Sequence, residues 1–244
     1  MEFITIYWWR IIAGAVISYL LGSFSFAVIF TKLSSKKDVR EMGSGNAGFT
    51  NVLRSVGVVP AVFTYVFDCL KGIISVFITV WIFSLSVDNA DILALSDSLR
   101  FEYTAYGKYL AGVFCVLGHS FPIYFGFRGG KGITTMSGIL LVLDPMPWML
   151  VLTFAVWLTF FLCSKIISVG SLASAVAIVV WNFVITYFFM YRPSLTTDAP
   201  LRLSFVITTT IIMFFIGLFV IIMHRENIKR LIRGEEKKIK AKKA

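Results

Sequence analysis

Long apolar stretches, separated by short polar segments, alternate along this chain. They cover residues 4–30, 57–83, 105–125, 132–143, 148–163, 167–190 and 204–223. A helix needs roughly 20 residues to cross a hydrocarbon core about 30 Å thick, and most of these stretches approach or exceed that length. The pattern therefore predicts an all-α protein that crosses a membrane several times, with 132–143 as the one doubtful span.

Composition supports the same class of protein. Of 244 residues, 58% are hydrophobic and only 15% are charged, and the mean hydropathy is +0.84, which excludes an ordinary soluble domain. The first stretch is too long and too aromatic for a cleaved signal peptide, so we predict a retained span. Cys69, Cys115 and Cys163 lie in apolar stretches without CxxC spacing. We expect no disulfide framework, no metal, no cofactor and no nucleic-acid partner.

Basic residues set the predicted orientation. The loop after the first stretch carries five Lys or Arg residues, and the chain from residue 225 onward carries nine. By the positive-inside rule both regions lie in the cytoplasm, which requires an even number of crossings between them. Counting 132–143 as a span gives six crossings, whereas merging it with the next stretch gives five. We therefore predict one domain over 1–244 with seven transmembrane helices, the N-terminus outside and the C-terminus cytoplasmic.

A basic tail from about 233 to 244 completes this topology. One interpretation is that it contacts anionic lipid headgroups, each basic residue near the surface contributing about 1 kcal/mol. The other is that it only determines the topology.

The first polar island, residues 43–51, lies between the first two spans and reads Gly-Ser-Gly-Asn-Ala-Gly-Phe-Thr-Asn. Glycines adopt backbone angles that other residues resist, and the Ser, Thr and Asn side chains offer hydrogen-bond donors. Arg54 follows about one helical turn later, where its guanidinium would reach a phosphate at the helix start. The alternative is an ordinary turn capped by Thr50 or Asn51. The predicted phosphate ligands here are Gly43, Ser44, Gly45, Asn46, Thr50, Asn51 and Arg54.

The second island, residues 126–132, resembles a phosphate loop but not the nucleotide-binding one. A Walker A motif requires Gly six residues before the Lys and Ser or Thr after it, whereas Phe125 and Gly132 stand at those positions around Lys131. This disfavours ATP or GTP. What remains is a Gly-Gly-Lys-Gly nest, Gly129, Gly130, Lys131 and Gly132, that opens the short helix 132–143 with its positive end toward an anion.

Three further groups carry charge or proton chemistry. Asp68 and Lys71 share a helix face inside a span, where charges are costly and usually pair, so we predict a structural ion pair. His224 and Asn227, at i and i+3 after the last span, present an imidazole and an amide to the same side. We interpret His119, in Gly-His-Ser-Phe-Pro, as a packing residue.

The order of these motifs resembles the PlsY-type acyl-phosphate:glycerol-3-phosphate acyltransferase family of bacteria, over residues 22–235. Besides the islands, the resemblance rests on Asp-Cys-Leu-Lys-Gly at 68–72, Ser-Lys at 164–165 with Ser-Val-Gly-Ser at 168–171, and His-Arg-Glu-Asn at 224–227. It implies an integral enzyme of the bacterial cell membrane whose active site faces the cytoplasm. Such an enzyme moves a fatty acyl group from acyl phosphate to the first hydroxyl of glycerol 3-phosphate, giving lysophosphatidate for phospholipid synthesis.

The resemblance also implies roles for residues and partners. An upstream enzyme would supply acyl phosphate, and the Gly129–Gly132 loop would hold a substrate phosphate. The catalytic residues would be Ser44, Arg54, Lys131, His224 and Asn227, with Asn46 among the substrate ligands.

The chemistry agrees with the residues present. Acyl phosphate carries a good leaving group, so positioning and charge stabilisation matter more than a strong protein nucleophile. The sequence contains no GxSxG elbow, and neither histidine is followed five residues later by Asp. We therefore expect direct attack by the substrate hydroxyl. The main alternative is a membrane transporter for an organic phosphate, whose anion site would lie near the bilayer midplane on broken helices.

Overall fold

A computed structural model describes residues 2–85, 95–143 and 147–238, and in these ranges it is helical without a β-strand. The chain divides into two compact units, residues 1–144 and 145–244. The expected all-helical fold is confirmed, whereas the assignment of a single domain stays a prediction.

The first unit begins with a span that is interrupted rather than continuous. Residues 4–30 were expected to form one helix, but the structure ends the first helix at Gly22 and begins the next at Phe26. The Lys71 ammonium donates to the Phe24 carbonyl at 2.8 Å, which supplies a partner to a carbonyl that the break releases. The helices of this unit are α1 (Glu2–Gly22), α2 (Phe26–Ser35), α3 (Phe49–Ser55), α4 (Val58–Ser84), α5 (Asp97–Ser120) and α6 (Ile133–Val142).

Glycines allow the helices of the first unit to pack backbone against backbone. A Cβ at Gly72 of α4 would lie 2.6 Å from the Thr135 carbonyl of α6, and one at Gly138 of α6 would overlap the Cys69 carbonyl of α4. Gly22 of α1 and Gly118 of α5 approach each other's helix backbones in the same way. These approaches embed α6, which is only 10 residues or about 15 Å long.

The second unit contains α7 (Trp148–Ser164), α8 (Ile167–Val184), α9 (Leu203–Met223) and α10 (Arg225–Ile232). A π-helical segment, Ile185–Tyr191, continues α8. The buried Asn182 side chain donates to the hydroxyls of Thr209 and Thr210, both at 3.3 Å, which ties α8 to α9. Gly170 lets α8 approach the Trp157 carbonyl of α7.

Four helical segments of the described chain are long and apolar enough to cross a membrane: Phe3–Ser35, Val58–Ser84, Ile167–Ser194 and Leu203–Met223. Two more apolar helices, α6 and α7, are shorter. Large apolar side chains remain exposed along these helices, including Phe214, Phe215 and Trp81, as expected for surfaces that face lipid. The protein is therefore a helical membrane protein, and its seven spans and orientation stay predictions.

Candidate active site

Asn51 organises the first polar island. Its buried side-chain amide donates to the carbonyls of Val39, Met42 and Asn46 at 2.9–3.0 Å, and its Oδ1 accepts the Ser44 N–H at 3.0 Å. Both amide hydrogens are thus engaged inside the loop. This geometry revises the expectation of a direct phosphate ligand and assigns Asn51 to holding the loop's shape.

Two glycines of this island stand where other residues would be strained. Gly43 and Gly45 have φ angles of 55° and 71°, in the left-handed region that favours glycine. A Cβ at Gly43 would also overlap the Asn51 Oδ1 and lie 2.6 Å from the Ser55 hydroxyl. These glycines therefore shape the loop, and nothing in their geometry requires contact with a ligand.

The predicted ligands of the first island lie at the surface of the loop and of α3. Ser44 is exposed, and Asn46 and Thr50 are half-buried. Arg54 is exposed in the last turn of α3. Gly48, rather than Thr50 or Asn51, occupies the position before the helix, and no side chain caps it. Neither Thr50 nor Asn51 therefore caps α3 at its first residue, while the hydrogen bonds of Asn51 hold the preceding turn.

The second island contains a strained turn. Gly126 and Phe127 have φ angles of 64° and 58°, and for an aromatic residue the left-handed region is a true outlier. Such conformations cost of order 1–3 kcal/mol each and persist only where surrounding contacts hold them. The Phe127 N–H donates to the Pro122 carbonyl at 2.9 Å, which is one of these contacts.

The glycine pair that follows is tied to the end of α5. The N–H groups of Gly129 and Gly130 donate to the carbonyls of Ser120 and His119, both at 3.1 Å. The predicted nest had assigned these N–H groups to an anion, so the structure revises that part of the prediction. The first-turn N–H groups of a helix have no partners within the helix, so the anion site at the start of α6 stays a prediction.

A buried polar cluster lies next to the glycine loop and consists of Asp68, Lys71, His119 and Thr135. The Lys71 ammonium lies 2.8 Å from Asp68 Oδ1, in the ion pair that the helix spacing predicts, and 3.0 Å from His119 Nδ1. The Thr135 hydroxyl is also 3.1 Å from this Nδ1. Because an ammonium only donates, Nδ1 accepts, which places the proton of a neutral imidazole on Nε2.

His119 is a buried packing residue, as the sequence interpretation predicts, and it is hydrogen-bonded to Lys71 and Thr135. Its Nε2 faces Gly130 so closely that a Cβ there would overlap it. The same Cβ would lie 2.6 Å from the Ala47 carbonyl of the first island. The sequence signal was present in the Gly-His-Ser-Phe-Pro motif, but only the fold shows that this imidazole supports the glycine loop.

The two islands of the first unit therefore meet. Gly130 touches Ala47, and Phe125 packs on an apolar cluster that includes Val39, Ala47 and Val52. Arg40 of the first loop donates from Nη1 to the Phe125 carbonyl at 2.6 Å. The fold thus joins two segments about 80 residues apart into one polar surface.

In the second unit, the candidate residues follow α9. The His224 Nδ1 lies 2.7 Å from the Val220 carbonyl. Since a carbonyl only accepts, Nδ1 carries a proton and Nε2 of a neutral ring holds the lone pair. His224 is buried at the junction between α9 and α10. The main chain therefore sets both the orientation and the tautomer of the imidazole.

Asn227 is held by an acid from the predicted tail. Its Nδ2 donates to Glu236 Oε1 at 2.8 Å, and the Ser168 hydroxyl donates to the same oxygen at 3.0 Å. Arg230 Nε donates to Glu236 Oε2 at 2.6 Å. Burial raises the pKa of Glu236, but the hydrogen bonds from Arg230, Asn227 and Ser168 outweigh burial and leave its pKa below the usual value.

The chain after α10 makes a defined turn that leads into Glu236. Gly234, with φ of 70°, ends the helix in a Schellman turn, with hydrogen bonds from Gly234 N–H to Leu231 and from Glu235 N–H to Arg230. This turn directs the buried Glu236 back toward Ser168 and Asn227. Glu236 of the predicted basic tail is therefore buried and hydrogen-bonded within the second unit. The part of the tail from 239 to 244 lies outside the described residues.

These features define a helical membrane protein whose first unit joins two glycine-containing polar loops. Among the described residues, no three or more His, Cys, Asp or Glu side chains gather into a group that could hold a metal ion. The sequence profile of the family described as glycerol-3-phosphate acyltransferase matches residues 12–234. The chain belongs to this family.

Curated relatives align with this chain over nearly its full length. The glycerol-3-phosphate acyltransferase of Nostoc sp. is 36% identical over 236 residues, 95% of this chain and 93% of the relative. That of Halalkalibacterium halodurans is 36% identical over 239 residues, 96% and 97% of the two chains. The Staphylococcus aureus enzyme is 33% identical over 234 residues, 94% and 98% of the two chains.

Solved structures of one enzyme share the fold. The crystal structure of PlsY (YgiH), an integral membrane glycerol 3-phosphate acyltransferase, in its glycerol 3-phosphate form has a TM-score of 0.69 and 31% identity, covering 94% of this chain and 96% of that one. Its lysophosphatidic acid form has a TM-score of 0.67 and 30% identity, covering 94% and 95%.

Proposed function

We propose that this protein transfers a fatty acyl group from acyl phosphate to the 1-hydroxyl of glycerol 3-phosphate, releasing lysophosphatidate and phosphate. The observation that carries the proposal is the meeting of two glycine islands beside Lys131 and the start of α6. Family membership and the glycerol 3-phosphate form of PlsY support the acceptor. No cofactor takes part in this proposal.

In the proposed reaction, the acceptor hydroxyl oxygen attacks the acyl carbonyl carbon. The bond between that carbon and the phosphate oxygen breaks, and the departing phosphate takes the hydroxyl proton. Lys131, Arg54 and the N–H groups at the start of α6 stabilise phosphate charge, and Ser44 donates a hydrogen bond. These groups lower the barrier through charge and orientation, without a covalent enzyme intermediate.

His224 and Asn227 are proposed to position the reacting groups. His224 Nε2 is a hydrogen-bond acceptor in the neutral ring, because Nδ1 donates to Val220. Asn227 is fixed by Glu236, so its amide keeps one orientation. Replacing either side chain with Ala should lower kcat more than it raises KM, because a positioning group acts on the reacting geometry.

A transporter for an organic phosphate remains the alternative of another class. In such a transporter, the charged residues at the bilayer midplane would have to be Asp68 and Lys71. The Lys71 ammonium contacts Asp68, His119 and the Phe24 carbonyl, which makes this pair a tie between helices. Because these contacts engage the Lys71 ammonium, the geometry does not favour an anion site at Asp68 and Lys71.

The donor is tested with purified protein, glycerol 3-phosphate and three acyl donors. We expect turnover with acyl phosphate and none with acyl-CoA or acyl carrier protein, because the chain offers no nucleophile and base pair to activate a poorer donor. Efficient turnover with acyl-CoA would refute the donor assignment. Supply of acyl phosphate by an upstream enzyme belongs to the same proposal.

The proposed setting is a bacterial cell membrane, crossed seven times, with the active site at the cytoplasmic face. Single cysteines replacing Lys36, Arg128 and Lys238, all exposed, test this orientation. In a cysteine-free background, each should react with an impermeant reagent only after the membrane is opened. Labelling of position 128 from outside intact cells would contradict the topology.

A further inference from the structure

Arg40 has a geometry that no part of the proposed chemistry uses. It lies in a short 3₁₀ segment, Val39–Glu41, and its neighbour Asp38 holds the guanidinium on two sides. Asp38 Oδ1 accepts the Arg40 Nε at 3.0 Å, and Oδ2 accepts Nη2 at 2.8 Å. Hydrogen bonding from Arg40 lowers the pKa of Asp38, so the carboxylate stays charged. The pair is thus a rigid unit with one nitrogen left to point elsewhere.

That remaining nitrogen reaches the second island. Arg40 Nη1 donates to the Phe125 carbonyl at 2.6 Å and to the Arg128 carbonyl at a longer 3.5 Å. These two carbonyls stand on either side of Gly126 and Phe127, which are both in left-handed conformations. Arg40 therefore holds the strained turn by a short hydrogen bond at Phe125 and makes a long contact with it at Arg128.

The other side of the second island is anchored separately. Gly129 and Gly130 donate to the last carbonyls of α5. Lys131 follows directly, so its position depends on both anchors. Without Arg40, the strained turn would lose the hydrogen bond at the Phe125 carbonyl and keep its backbone hydrogen bonds to Pro122 and α5.

We propose that Arg40, oriented by Asp38, is a positioning residue that holds the phosphate loop in the shape required for glycerol 3-phosphate. The inference rests on the proposed function of that loop. Arg40 acts through the backbone of Phe125–Arg128 and does not itself touch the substrate. Its planar fork is essential, because a Lys ammonium cannot hold both Asp38 oxygens and reach the loop carbonyls at once.

The first test measures the loop without substrate. Hydrogen exchange of the peptide covering 123–131 is compared in the wild-type protein, Arg40→Gln and Arg40→Lys, in detergent. Loss of a charge-assisted hydrogen bond predicts exchange about tenfold faster in both variants. Helices α8 and α9 should be unchanged. Lys37→Gln, an exposed cation three residues away that makes none of these contacts, is the matched control.

The second test measures kinetics with saturating acyl donor. Both Arg40 variants should raise the KM for glycerol 3-phosphate about tenfold, with kcat changed less than about threefold, and Lys37→Gln should resemble wild type. If Arg40→Gln cannot be purified in a folded form, both the exchange and the kinetic measurements are made on Arg40→Lys.

Unchanged hydrogen exchange in residues 123–131 of the Arg40 variants would overturn the inference. Wild-type behaviour of Arg40→Lys would also overturn it, because it would show that only the positive charge of Arg40 matters. An equal rise in KM in Lys37→Gln would also overturn it. Absence of acyltransferase activity in the wild-type protein would refute the proposed function, whereas the exchange measurement would still report on the Arg40 contact.

Discussion

Replacing Gly130 with Ala should impair the enzyme through a contact inside the protein. The backbone at Gly130 does not lie in the left-handed region, so Ala is conformationally allowed there. The added Cβ would nevertheless overlap His119 Nε2 and lie 2.6 Å from the Ala47 carbonyl. One obstacle is a side chain that is itself held by Lys71 and Thr135, and the other is backbone.

The expected magnitude follows from this crowding. Overpacking in a well-packed site costs typically about 1–3 kcal/mol. If the displaced loop transmits this cost to the transition state, kcat/KM for glycerol 3-phosphate should fall roughly 5- to 150-fold. Most of the loss should appear in KM, since the loop is proposed to hold the acceptor's phosphate.

A double-mutant cycle identifies the cause. Gly130→Ala should cost less in a His119→Ala background than in the wild type, because one of the two obstacles is gone. Gly126→Ala is the matched control. A Cβ there would meet nothing within 4 Å, so its cost is conformational and should be the same in both backgrounds.

The assay is steady-state acyl transfer with folding checked by thermal unfolding in detergent. Wild-type kinetics in folded Gly130→Ala would refute the reasoning about crowding. Equal losses in the two backgrounds would show that His119 is not the obstacle that matters.

Three further outcomes are expected. Lys131→Ala should lower kcat/KM about tenfold or more, because a lost charged hydrogen bond costs about 1.5–3 kcal/mol, and normal kinetics would make the loop a simple turn. Incubation with labelled acyl phosphate alone should leave no acyl group on Ser44 or elsewhere by intact mass, and a stoichiometric adduct with ping-pong kinetics would disprove direct attack. The lowered pKa of Glu236 means that its stabilisation is present above the usual Glu value of about 4.3 and is lost as pH falls through the folded-state pKa. Glu236→Gln should therefore lower the melting temperature at pH 7 and flatten its fall in acid, and an unchanged acid profile would contradict this role.

Sequence alone determined the class of the protein and several local features of its polar segments. Apolar stretches predict helices in a membrane because lipid offers no partner for the backbone, which is a local requirement. Gly43 and Gly45 were predicted as special positions, and their left-handed angles agree, because such angles are a property of the local chain. The Asp68 and Lys71 contact likewise follows from helical spacing.

Only the tertiary structure decided which polar groups serve the loops and which remain for a ligand. Asn51, Gly129 and Gly130 use hydrogen bonds within the protein that their motifs had assigned to phosphate. Glu236 reaches Ser168 across 68 residues of sequence, and Arg40 reaches Phe125 across 85. Contacts of this range depend on how helices pack, because a donor in a motif bonds to whichever acceptor the fold brings near, and spacing along the chain does not record that choice.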